Sequence, residues 1–138
     1  MKRQTFYRLA LVGAAVLTMA SAGLAKTFHM TSMSTVPGAA ADVNVDKEKN
    51  GNITVEIKAE HLAKPGLLTP PANSYMVWFQ QQGSDAQSQG QLKIGDDLKG
   101  ELKSTTTLNN FNVIITAETD SGAKYPSEQV VLRARVQQ

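Results

Sequence analysis

The chain predicts an all-β fold, an immunoglobulin-like antiparallel β-sandwich of about seven strands preceded by a signal-peptide helix. Three observations carry that expectation. Short apolar–polar alternations recur along the chain, turn residues punctuate them, and helix signals are nearly lacking after the first 25 residues.

The N-terminus is read first, because it decides which residues belong to the fold. Met1–Arg8 is a short basic start, Leu9–Ala20 an uncharged apolar run, and Ser21–Ala25 a small-residue stretch ahead of Lys26. That order is the pattern of a secretory signal peptide, residues 1–25, with cleavage after Ala22 or Ala25. The alternative is a retained membrane anchor, but the apolar segment is at the short end for a membrane-spanning helix, so cleavage is expected and no stable membrane span after it. With no cysteine in the chain, lipid attachment through a thiol is excluded, as are thiolate metal sites and disulfides. The expected location is the periplasm or the medium outside the cell.

Removing the signal changes the charge balance. Of 14 Lys and Arg, Lys2, Arg3 and Arg8 lie in it, which leaves 11 basic against 12 acidic residues, a net charge of −1. No basic cluster remains to neutralise phosphates, so nucleic acid is excluded as a partner. The remaining length suits one domain with its own core.

The elements follow in order. Residues 26–41, small, polar and containing Pro37-Gly38, read as a flexible arm or an edge strand; the sandwich is expected over 42–138. Asp42–Asp46 and Asn52–Lys58 alternate with period two, and Asn50-Gly51 between them supplies the positive φ of a hairpin turn. Pro65-Gly66 and Pro70-Pro71 make a rigid connection. Ser74–Gln81 is apolar on both faces, as a central covered strand should be. Gln82–Gly90 reads as a polar flexible loop. Gln91–Ile94 and Glu101–Thr107 are short strands around Gly95-Asp96-Asp97, Phe111–Glu118 is a buried strand, and Val130–Val136 closes the domain.

Pro71-Ala-Asn-Ser-Tyr75-Met-Val-Trp78, Gly90-Gln-Leu92, Phe111-Asn-Val113 with Thr116-Ala-Glu118, and Pro126-Ser127 with Val130-Val-Leu132 occur in one order. Over about residues 65–138 this resembles the extracytoplasmic C-terminal domain of the anti-sigma-K factor family, and small secreted bacterial proteins made of that domain alone. The resemblance implies a fold and a compartment. It implies no anti-sigma activity, because a signal peptide stands where that family carries its sigma-binding region, and it carries over no catalytic or ligand residues.

Candidate sites are few. His29, Met30 and Met33 combine an imidazole with two thioethers, soft ligands suited to Cu(I), so copper is the alternative cofactor to none. Asp42-x-Asn44-x-Asp46 opens like a calcium loop, but Lys47 and Ile53 stand where that loop needs Gly and Glu. Asp96 and Asp97 read as turn residues. No nucleophile elbow, metalloprotease helix or phosphate loop occurs, so no enzyme is expected. Trp78 is expected in the core, which leaves Tyr75 and Phe79, with Gln87 and Gln89, as a candidate interaction surface. These readings converge on an exported, monomeric, non-enzymatic module that meets an envelope protein or polymer through sheet edges and loops; a small periplasmic Cu(I)-binding protein is the alternative.

Overall fold

The computed structural model describes residues 25–138. The signal-peptide reading of residues 1–25 lies outside the described residues but for Ala25. Nine antiparallel strands form a nearly closed circuit, with no α-helix among the described residues. They are β1 (Lys26–His29), β2 (Thr31–Ser32), β3 (Ala40–Lys47), β4 (Ile53–Glu60), β5 (Ser74–Gln80), β6 (Gln87–Ile94), β7 (Gly100–Thr106), β8 (Asn110–Glu118) and β9 (Val130–Gln137).

The order is β1-β3-β4-β7-β6-β5-β8-β9-β2. From β3 to β9 this is the immunoglobulin order A-B-E-D-C-F-G. The expected seven strands are present, and two more come from residues 26–41. Of the two readings of that segment, the structure has the edge strand. β1 pairs with β3 and β2 with β9, so one stretch of chain covers both outer edges of the sandwich. Unpaired edges are the weak point of an open sheet, and the sandwich therefore begins at Lys26 rather than at residue 42.

The alternation of Val43, Val45, Ile53, Val55 and Ile57 puts these side chains inward, fully buried, while Asp42, Asn44, Glu56 and Lys58 face outward. The β3–β4 turn is a three-residue loop. Gly51 N–H donates to Glu48 O, Glu48 N–H to Asn52 O, and Gly51 alone has positive φ, at 86°. The other sheet contributes Tyr75, Val77, Phe79, Val113, Ile115, Leu132 and Val136 to the same core, and the Phe79 and Phe111 rings meet at 4.9 Å.

β6 joins the two sheets. Its start pairs with β5 and its last two residues with β7. The bend falls at a bulge opposite Val77 and Trp78, beside Gly90 with φ 118°. β6 also begins at Gln87, so the polar stretch expected as a loop up to Gly90 is strand over its last four residues: Gln87 and Ser88 pair with Phe79 and Trp78, and main-chain pairing overrides their weak strand propensity.

β5 is covered on both faces, as its sequence predicts. The assignment of its faces is the main correction. Tyr75 and Phe79 lie in the inter-sheet core and form no surface. Trp78 is fully buried, but on the outer face, in a separate cluster with Met76, Ala86 and Ile114 under Ala123 and Val130. Strand alternation fixed which residues share a face. Which face another layer covers was decided by the 119–129 segment folding over the outer one.

Candidate functional site: the loop-bearing end

Strand register gathers four connections at one end of the sandwich. Ala40 stands opposite Glu60, Ala59 and Ile94 opposite Gly100, Ser74 opposite Glu118, and Thr116 opposite Val130. Segments 33–39, 61–73, 95–99 and 119–129 therefore emerge together. They are the Pro-, Gly- and Asp-bearing stretches, which form connections because these residues set φ or bond to their own backbone.

The three exposed large apolar side chains among the described residues all sit on these segments: Met33 (39%), Leu67 (78%) and Tyr125 (68%). Leu67 lies in a single 3-10 turn, Pro65–Leu67, started by Pro65. Beside it is a cleft of 530 Å³ between Ser34–Pro37 and Leu67–Thr69. Thr35 also lines a second cleft, of 580 Å³, with Pro70, Pro71, Glu118, Ser127 and Gln129.

These loops are tied down. Met33 N–H donates to Val131 O (2.9 Å), Thr35 Oγ1 to Val130 O (3.0 Å), and Asn73 Nδ2 to Thr119 O (2.6 Å). Gln129 Nε2 donates to Pro70 O (3.0 Å), and the Tyr75 hydroxyl to Ala63 O (2.7 Å). Burial raises the Tyr75 phenol above its ordinary pKa, against the opposing effect of that bond. His61 and Leu98 both adopt left-handed φ, 56° and 60°, and Leu62 N–H donates to Leu98 O (3.1 Å). Two non-glycine residues held in that region at adjoining loops mark a locally constrained backbone.

Below the second cleft runs a buried polar chain. Trp78 Nε1–H donates to Thr116 Oγ1 (2.8 Å), and the Thr116 hydroxyl donates to Glu118 Oε1 (2.6 Å). The same oxygen accepts Ser127 N–H (2.7 Å), while Ser127 Oγ donates to Ala117 O (2.9 Å). This chain fixes the 119–129 connection to β8.

The expected copper ligands do not converge. His29, the last residue of β1, is exposed and bonds Asp42; Met30, between β1 and β2, packs in the core; and Met33, after β2, lies on the loop-bearing end. Strand alternation separates the first two, and core packing claims the thioether of Met30. Among the described residues no three His, Asp or Glu side chains gather as a metal site. Asp42, Asn44 and Asp46 lie on an outward face, where Asn44 Oδ1 accepts the Thr27 hydroxyl. Asp97 Oδ1 caps its own turn through Lys99 N–H (3.2 Å). Of the expected interaction residues, Gln87 is exposed and Gln89 half-buried, its Oε1 accepting the Ser104 hydroxyl.

A third groove, 730 Å³, crosses the outer sheet face and carries both signs of charge: Asp42, Lys58, Glu60, Lys93 and Glu101. Near it Lys58 and Glu56 pair at 3.1 Å; that hydrogen bond is the largest cause of the lowered Glu56 pKa and of the raised Lys58 pKa.

Sequence reasoning missed Leu67, Tyr125, Ser74 and Glu118. Leu67 and Tyr125 carried one signal, an isolated large apolar residue within a turn-rich stretch; Ser74 and Glu118 carried none. Chemically, the loop-bearing end offers apolar side chains and hydrogen-bond acceptors on a fixed frame, which suits recognition. Compared with known proteins, the chain matches no family model and no curated protein.

Proposed function

We propose that this chain is an exported, non-enzymatic β-sandwich module of the bacterial cell envelope, acting as a monomer that grips another protein or an envelope polymer. The binding surface is the loop-bearing end. One observation carries the reading: Met33, Leu67 and Tyr125 stand exposed on neighbouring connections at a single end. Scattered exposed apolar residues need no explanation, whereas their collection on tied-down loops is the anatomy of a binding site. The likeness to the anti-sigma-K extracytoplasmic domain supports the compartment and gives the module no sigma-binding role.

The test uses the chain expressed with its own N-terminus, cross-linked in intact cells and recovered from the envelope fraction. Wild type is expected to recover a stable partner, and Met33→Ser/Leu67→Ser/Tyr125→Ser to lose it without a change in melting temperature, since exposed substitutions cost little. Equal recovery by the two proteins overturns the proposal.

A further inference from the structure

We propose that the second cleft receives a lysine or arginine side chain of a partner polypeptide, with Glu118 as its counter-ion. The inference rests on the loop-bearing end being the binding surface and adds the chemistry of what is bound there.

Glu118 is 6% exposed and lines the cleft. One of its oxygens, Oε1, accepts from the Thr116 hydroxyl and Ser127 N–H. Oε2 takes part in no hydrogen bond among the described residues, yet it is not enclosed: the one buried side-chain polar atom without a partner is Ser74 Oγ. Ser74, itself 4% exposed, stands directly opposite Glu118 in the β5–β8 register, on the same face of the sheet. Glu118 on the cleft wall therefore keeps one oxygen without a hydrogen bond among the described residues, while the unpaired Ser74 hydroxyl is enclosed behind that wall.

Among the described residues no cation pairs with this charge. The ion pairs among the described residues are His29–Asp42 and Lys58–Glu56, both elsewhere, and although Lys64 and Lys124 lie on the surrounding connections neither reaches Glu118. A carboxylate oxygen left without a donor at a cleft wall is matched by a positive group that brings donors, since charge-assisted hydrogen bonds are the strong ones. An ammonium carries three N–H donors and a guanidinium five. Either can satisfy Oε2. Glu128, also on the cleft wall, adds to the negative field. The apolar Leu67 and Tyr125 on the flanking connections select a basic residue with apolar neighbours, which a polypeptide supplies and a free amine does not.

The molecule contains its own reporter. Trp78 is the only tryptophan, and its indole N–H leads through Thr116 to Glu118. The test is a ¹H–¹⁵N titration of the protein with acetylated, amidated tripeptides Leu-Xaa-Phe, where Xaa is arginine or the uncharged norleucine. The arginine peptide is expected to shift the Trp78 indole and Ser127 amide signals saturably, at concentrations at least about tenfold below those needed with norleucine. Glu118→Gln is expected to erase that difference. Equal response to the two peptides, shifts confined to the other end of the sandwich, or no saturable shift overturns the proposal. If Glu118→Gln does not fold, the comparison of peptides on wild type decides alone. An envelope partner lost with the apolar triple variant, together with equal response to both peptides, leaves the binding surface standing and removes the basic guest. Unchanged partner recovery by the triple variant removes the binding surface itself.

Discussion

Trp78→Ala measures whether the outer face of β5 is a second core. The side chain is fully buried, against Met76, Ala86 and Ile114, with Ala123 and Val130 over it. A buried tryptophan removes about 150–250 Å² from water, which at 25 cal/mol per Å² is about 4–6 kcal/mol. Alanine keeps part of this, and the covering 119–129 segment can settle into the space, which brings the packing loss to about 3 kcal/mol. Loss of the indole donor to Thr116 adds about 1 kcal/mol. A total of about 4 kcal/mol is a large share of the 5–15 kcal/mol that holds a domain together. The assay is urea unfolding followed by far-ultraviolet circular dichroism, because the variant has no tryptophan to observe. With a slope of about 1.5 kcal/mol per molar, the midpoint should fall by about 2–3 M. Trp78→Phe, which keeps a ring and loses the donor, should fall between variant and wild type. A loss below about 1 kcal/mol for Trp78→Ala refutes the reasoning and makes the outer face of β5 a surface.

Two further outcomes are expected. Leu98→Gly should stabilise the domain by about 0.5–1 kcal/mol in the same unfolding assay, because glycine adopts φ 60° without the side-chain clash and its greater unfolded-state entropy offsets only part of the gain; a loss of stability would show that the Leu98 side chain outweighs the backbone strain. The Tyr75 phenol is raised above its ordinary 10.0, so its contribution is complete below pH 10 and is lost as pH rises through the folded-state value. Ultraviolet titration of wild type against Tyr75→Phe should assign the late-ionising phenol to Tyr75, and titration of that phenol at or below pH 10 contradicts the burial.

Much of the fold is legible in the sequence because the pattern that makes a strand is local. Val43, Val45, Ile53, Val55 and Ile57 alternate with polar residues, and that alternation alone places them inward. Gly51 announces its turn because glycine reaches positive φ at no steric cost. The doubly apolar run in β5 announces a strand covered on both faces. What covers those faces is not local. Tyr75 and Trp78 both read as core, and only the long-range closure of the two sheets put the first between them and the second beneath the 119–129 connection.

The candidate site was hidden for the same reason. Met33, Leu67 and Tyr125 lie far apart along the chain, and β6 and β7 stand between Ser74 and Glu118 in sequence. Register between β5 and β8, and the order in which seven strands return to one end, bring them together. The sequence by itself determined the all-β class, the positions of the strands and the side-chain alternation within each, because backbone sterics and period-two burial act over a few residues. The tertiary structure alone decided that residues 26–32 seal both edges, that Met30 packs in the core, and that four connections share one end. Those outcomes depend on pairings between distant segments, whose free energy no single stretch of chain contains.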